Sequence, residues 1–244
     1  MKSYSNTYIF IFSTVMVIIV ATLLTFVSET LRPYQEKNVE VEKKLDILRS
    51  VGLAKDYATA DNKSSYVEEE YASNITKSMV INMNGEVQEG LEAFPIKLKE
   101  ELNKIPEERN LPVFIYTSPE GQEINIVPLQ GKGLWGPIWG YISFQPDMST
   151  VYGATFSHAK ETPGLGAEIA EDFFQEQFKG KQIFDESEKF VSIQVMKGGA
   201  GKGNPHAVDA ISGGTITSKA LQAMLLNCLG NYETYFKNKT KNHE

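Results

Sequence analysis

Two glycine-bearing loops, each running directly into a helical pattern, hold most of the side chains in this sequence that are able to do chemistry. The first is Glu161-Thr162-Pro163-Gly164-Leu165-Gly166, followed at once by Ala167-Glu168-Ile169-Ala170. The second is Asp209-Ala210-Ile211-Ser212-Gly213-Gly214-Thr215-Ile216-Thr217-Ser218, followed by a helical pattern from Lys219. Pro163-Gly164 suits the centre of a type II turn, and Gly166 lets the backbone approach a neighbour closely. Helix amino termini present unpaired N–H groups and partial positive charge, so both loops are able to hold an anionic group. The same residues suit a plainer use, with Thr217 or Ser218 as an N-cap and the glycines as a tight turn. Spacing alone leaves both readings open.

Other motif-like strings lack the context their chemistry needs. Gly131-Lys132-Gly133-Leu134-Trp135-Gly136 satisfies G-x-G-x-x-G, but Pro137-Ile138-Trp139-Gly140-Tyr141 follows it as a turn and strand, where a dinucleotide site requires a helix. Gly198 to Gly203 holds Lys202 among glycines with no Ser or Thr after it, so it is a surface loop and not a phosphate-binding Walker loop. His158, His206 and His243 have no metal-ligand spacing, and no nucleophile elbow is present. Cys228 shares a helix face with Leu221, Leu225 and Tyr232 and reads as a small buried apolar residue. No catalytic residue and no metal ligand is assigned.

The elements that must position the loops follow from hydropathy. Of 244 residues, 41% are hydrophobic and 23% charged, an ordinary globular balance. One cysteine cannot close an internal disulfide or build a Cys-based metal site. A net charge of −7 argues against a nucleic-acid partner. From about 78 to 156 the texture is strand-like, in short segments such as Met79–Met83, Pro112–Tyr116, Ile124–Val127 and Tyr141–Phe144. Helical texture returns at 167–178 and from 219 to the end, which gives an α+β domain in place of alternating βαβ units. Residues 55–75 read as a polar loop.

Tyr8 to Val27 is an apolar run without charge, and about twenty residues span roughly 30 Å as a helix, the thickness of a bilayer core. A cleaved leader has a shorter apolar core and a small-x-small site, and none follows Ser28. The run is therefore read as a retained single-pass anchor at 8–28, after a tail at 1–7. A charged helical segment follows at 29–55, with Val41, Leu45 and Leu48 on one face from Pro33 onward and Gly52 as its stop. The folded domain is placed at 56–244. Lys2 before the span and Arg32, Lys37, Lys43 and Lys44 after it leave the orientation undecided, because long domains translocate largely regardless of charge. Lys2, Glu29 and Arg32 sum to +1, so the remainder carries −8 and reads as a solvated domain.

At this point a resemblance adds to the residues. Asp209-Ala210-Ile211-Ser212-Gly213-Gly214-Thr215 resembles the Asp-x-x-Ser/Thr-Gly-Ala-Thr signature of domains that carry FMN esterified to threonine. Glu161 to Gly166 is similar to the second signature of the same FMN-binding domain. With Gly133-Leu134-Trp135 and the anchor, the chain resembles the family of C subunits of Na⁺-translocating NADH:quinone oxidoreductases. The G subunits of Rnf-type ferredoxin:NAD oxidoreductases share both signatures. Gly140-Tyr141 and the match around Gly180-Lys181 favour the quinone reductase. Gly214 departs from the usual alanine, and attachment is expected to survive with a looser loop.

The resemblance implies an electron-carrying subunit with no complete active site of its own. FMN would be joined by a phosphoester to Thr215, supplied from FAD by a separate flavin transferase. Ser212 and Thr217 hydroxyls and Gly213 or Gly214 amides would bond the phosphate. Asp209 would serve the transferase or brace the loop. Leu165 and Trp135 would pack on the flavin ring, Thr162, Gly164 and Gly166 would meet its polar edge, and Glu161 would bind it or brace the turn. Lys197 would place a cation nearby to tune the potential. In the family, electrons pass from an iron–sulfur centre to a second FMN in the B subunit and on to quinone, within a six-subunit complex that exports Na⁺. The family also implies a bacterial inner membrane and a periplasmic domain. The rival class is an anchored domain without cofactor, in which both loops are only turns.

Overall fold

The computed structural model describes residues 5–201 and 203–241; Lys2, Lys202 and His243 lie outside them. The chain forms two compact units, Met1–Lys43 and Lys44–Glu244.

Helix α1 (Asn6–Ser50) supplies the first unit and continues into the second. Among the described residues it is the one helix long and apolar enough to cross a membrane. Phe10, Leu24 and Phe26 are exposed on it. Thr22 and Thr25 return their hydroxyls to the Ile18 and Ala21 carbonyls at 2.8 and 2.9 Å, so neither is left unpaired in an apolar surrounding. The helix passes through Pro33 without ending, where the sequence suggested a new segment. A proline removes one N–H from the ladder, and the residues on both sides remain helical. Ser50 is the last helical residue, and Gly52 at φ +75° turns the chain as its position predicted.

The second unit is built on an antiparallel sheet of five strands in sequence order. These are β1 (Ile75–Ile81), β2 (Leu111–Thr117), β3 (Glu123–Lys132), β4 (Pro137–Phe144) and β5 (Val151–His158). Helices α2 (Lys63–Asn74) and α3 (Leu98–Glu101) flank β1 in the chain. Helix α2 corrects the loop expected over 55–75. Asn62 caps it by accepting from the Ser65 amide at 3.2 Å, but Val67 is its one buried residue, so its hydrophobic pattern is faint.

Side chains alternate across a strand, and here both faces are covered, so the strands read as continuous apolar runs. Val113, Ile115, Val127, Leu129 and Ile142 join one core with Leu221, Leu225, Leu229 and Phe236. Phe114, Tyr116, Ile124, Ile126 and Tyr141 join the other with Ile47 and Val51. The first core is closed by α5 (Thr215–Lys241), a 27-residue helix that contributes a face from Leu221 to Phe236. Tyr232 and Tyr235 fasten it through bonds to the Pro112 carbonyl at 3.0 Å and Asn125 Oδ1 at 2.7 Å.

Between β5 and α5 the helix expected at 167–178 is broken into a 3-10 turn (Gly166–Ala170), the short α4 (Asp172–Gln175) and a second 3-10 turn (Glu176–Phe178). Packing explains the break: Phe174 and Phe178 both stack edgewise on Phe156, at 6.2 and 4.8 Å between ring centres, and Ile169 is fully buried. Strands β6 (Gln194–Met196) and β7 (Ala207–Asp209) then pair in parallel and deliver the chain to the head of α5.

Candidate functional site

Three short segments converge where β5 ends, where the β3–β4 hairpin turns and where α5 begins. In the first, the Leu165 amide donates to the Thr162 carbonyl at 3.1 Å with Gly164 at φ +75°, the turn that Pro163-Gly164 predicted. The hairpin closes through Gly133 N to Gly136 O at 2.8 Å and lifts Leu134 and Trp135 into solvent, at 47% and 63% exposure. At the third, helical bonding starts with Ser218 N to Gly214 O at 2.9 Å, so α5 begins at Thr215, four residues earlier than its sequence pattern.

That start corrects the N-cap reading. Ser218 Oγ accepts from the Ile211 amide at 3.2 Å and fixes the loop ahead of the helix. Thr217 is the third residue of α5, buried, and its hydroxyl donates to Glu161 Oε2 at 2.6 Å. The other oxygen of Glu161 accepts from the Trp135 amide at 2.9 Å. One buried carboxylate therefore touches all three segments. Gly166 is required beside it, because a Cβ there would lie 2.5 Å from Glu161 Oε2. Leu165 lies against the loop before α5, with its Cδ2 only 2.6 Å from where a Cβ on Gly213 would sit.

The residues expected to hold a phosphate separate into two groups. Thr217 donates its one hydroxyl proton to Glu161, and the Gly214 amide donates to the Ile211 carbonyl at 3.1 Å, so both are engaged within the protein. By contrast, among the described residues the Thr215 and Ser212 hydroxyls have no hydrogen-bond partner, and neither do the amides of Thr215, Ile216 and Thr217. Thr215 is half-buried and Ser212 exposed. This donor set at the head of a long helix fits a phosphate, and exposed Leu165 and Trp135 fit an aromatic ring beside it.

Thr162 and Gly164 are exposed on the same turn. Glu161 is a brace, since its oxygens are engaged by protein donors. Lys197 follows β6 and is exposed; no hydrogen bond or ion pair joins it to the three segments, and the link is indirect, through the Ala210 amide on the Met196 carbonyl at 3.0 Å. Asp209 Oδ1 accepts from the Ala200 amide at 2.6 Å, the loop-bracing use. Sequence reasoning missed His158, whose Nδ1 accepts from the Glu161 amide at 3.2 Å, and exposed Ile216 and Leu134. A histidine at a strand end three residues before the glutamate was the available signal for the first.

A five-stranded sheet, a capping helix and an anion-ready helix head with a second glycine loop against it define the class as an FMN-binding domain, and a family model of that description matches residues 133–230. The C subunit of the Na⁺-translocating NADH-quinone reductase of Vibrio vulnificus is 34% identical over 208 residues, 79% of this chain and 78% of the relative. The protein of the same name from Neisseria meningitidis serogroup B is 32% identical over 203 residues, covering 79% and 77%. Among solved structures, the C subunit from Parabacteroides distasonis superposes with a TM-score of 0.73 at 42% identity, covering 84% of this chain and 96% of that one. Shewanella oneidensis NqrC gives 0.67 at 27% identity, covering 82% and 99%. The chain belongs to the family of C subunits of the Na⁺-translocating NADH-quinone reductase.

Proposed function

We propose that this chain is the electron-carrying subunit of a membrane NADH:quinone oxidoreductase that exports Na⁺, and that it holds FMN through a phosphoester on Thr215 Oγ. The observation that carries the reading is the Thr215 hydroxyl at the first residue of α5, which with the amides of Thr215, Ile216 and Thr217 has no hydrogen-bond partner among the described residues. FMN bound there supplies one- and two-electron transfer. Everything else is the work of the chain.

The amides of Thr215, Ile216 and Thr217 and the Ser212 hydroxyl would bind the phosphate, whose remaining negative charge the helix head favours by about 0.3–1 kcal/mol. The Gly213 amide would complete the cradle. Leu165 and Trp135 would cover the ring and exclude water from its face, with Thr162, Gly164 and Gly166 oriented to its edge. Lys197 is placed in the second rank, as a cation acting from a distance. A covalent tether keeps the cofactor at high effective concentration between turnovers.

Family membership supports the setting: a single-pass anchor in a bacterial inner membrane, the domain on the periplasmic side, other subunits of the complex as partners and a flavin transferase for maturation. The folded domain, expected at 56–244, is proposed to begin earlier, within the juxtamembrane part of α1, because Ile47 and Val51 are buried in one of its cores. The test is fluorescence under ultraviolet light of the denatured chain on a gel, after production with a flavin transferase. A fluorescent band that Thr215→Ala abolishes supports the proposal; a dark wild-type band overturns it.

A further inference from the structure

Glu161 is 5% exposed, yet among the described residues no lysine, arginine or histidine forms an ion pair with it. Burying a lone carboxylate is costly unless hydrogen bonds replace its hydration. Here the replacements are the Trp135 amide on Oε1 and the Thr217 hydroxyl on Oε2, at 2.9 and 2.6 Å. The contact at Thr217 also sits within the first turn of α5, where the helix dipole favours negative charge. His158 meets this segment at the backbone, its Nδ1 accepting from the Glu161 amide at 3.2 Å.

Two consequences follow from this placement. The carboxylate joins segments 26 and 56 residues away in sequence, so it fixes Trp135 and the head of α5 relative to the turn bearing Leu165. It also sets a carboxylate that has no cationic partner among the described residues in direct hydrogen-bond contact with Thr217, two positions beyond Thr215. A buried charge of this kind opposes the arrival of electrons on a neighbouring group.

We propose that Glu161 is a positioning residue: it clamps the three loops before any flavin arrives, and its charge holds the potential of the attached flavin down. The second half rests on the proposed function. The variants separate geometry from charge. Glu161→Gln retains an oxygen for the Trp135 amide and a polar group for Thr217 while removing the charge, whereas Glu161→Ala removes both.

The clamp is read by hydrogen exchange at the Trp135 amide in the full chain carrying Thr215→Ala, which needs no flavin. Glu161→Ala should lose protection there by roughly tenfold, and Glu161→Gln should keep it. The charge is read by spectroelectrochemistry of flavin-loaded full chain, where Glu161→Gln should have a more positive midpoint potential than wild type. Unchanged Trp135 protection in Glu161→Ala overturns the clamp. A Glu161→Gln midpoint equal to or below wild type overturns the electrostatic role. A wild-type chain without flavin would defeat the proposed function alone, and the exchange result would still decide the clamp.

Discussion

The hydroxyl of Thr217 donates to Glu161 Oε2 at 2.6 Å although 56 residues separate the two. This bond joins the turn after β5 to the head of α5, and it makes one site of two loops that are distant in the chain. Both groups are buried, so neither can recover its bond from water if the other is removed.

Thr217→Val keeps the shape and deletes the donor, leaving one oxygen of a buried carboxylate unpaired. The expected loss is about 1–3 kcal/mol of unfolding free energy in urea denaturation, against less than about 0.5 kcal/mol for Thr217→Ser.

Alanine should be rejected at Gly166 and accepted at Gly214. At Gly166 the added Cβ meets the buried Glu161 carboxylate at 2.5 Å, and about 1–3 kcal/mol of destabilisation is expected. At Gly214 the contacts are looser, with Ile211 Cγ2 at 3.0 Å, Ile211 Cβ at 3.2 Å and the Leu165 carbonyl at 3.3 Å, so an added Cβ asks for shifts of only a few tenths of an ångström. Gly214→Ala should change thermal stability by less than about 1 kcal/mol, with reduced backbone freedom in the unfolded chain offsetting the contact.

Cys228 is buried on α5, and burial pushes its thiol up to about 11, opposed by the hydrogen bond to Gln130. The folded state thus holds this proton more tightly than the unfolded state. Its contribution is fully present below pH 9 and is lost as pH rises through about 11, a change of up to roughly 2–3 kcal/mol. Iodoacetamide at pH 8 should leave Cys228 unmodified in native protein and alkylate it in urea, and urea titrations should show stability falling between pH 9 and 11.

Truncation separates anchor from fold. A chain beginning at residue 33 retains both cores and should stay folded in aqueous buffer. Beginning at residue 53 removes Ile47 and Val51 from over Phe114 and Ile126. The two side chains together should cost about 3–6 kcal/mol. Circular dichroism melts of the two products check this.

Much of the fold was legible because local patterning dictated it. The strand segments, the face of α5 through Leu221, Leu225, Cys228 and Tyr232, and the turn at Gly164 all appear where residue types put them. The misses share a cause in long-range packing. Phe174 and Phe178, gathered on Phe156, divide the helix expected at 167–178, and α2 has too few apolar residues to announce itself. The start of α5 at Thr215 was hidden because Thr217 looks like a cap until Glu161 is seen to claim its hydroxyl. The glycine loops themselves stood out in the sequence, but no spacing reveals which donors a distant carboxylate has already taken.

The most direct measurement is mass spectrometry of the peptide containing Thr215, from full-length chain produced with a flavin transferase. A phosphoester on Thr215 gives a mass gain of one FMN less one water on that peptide, absent in Thr215→Ala. An unmodified Thr215 peptide from the wild-type chain would contradict it.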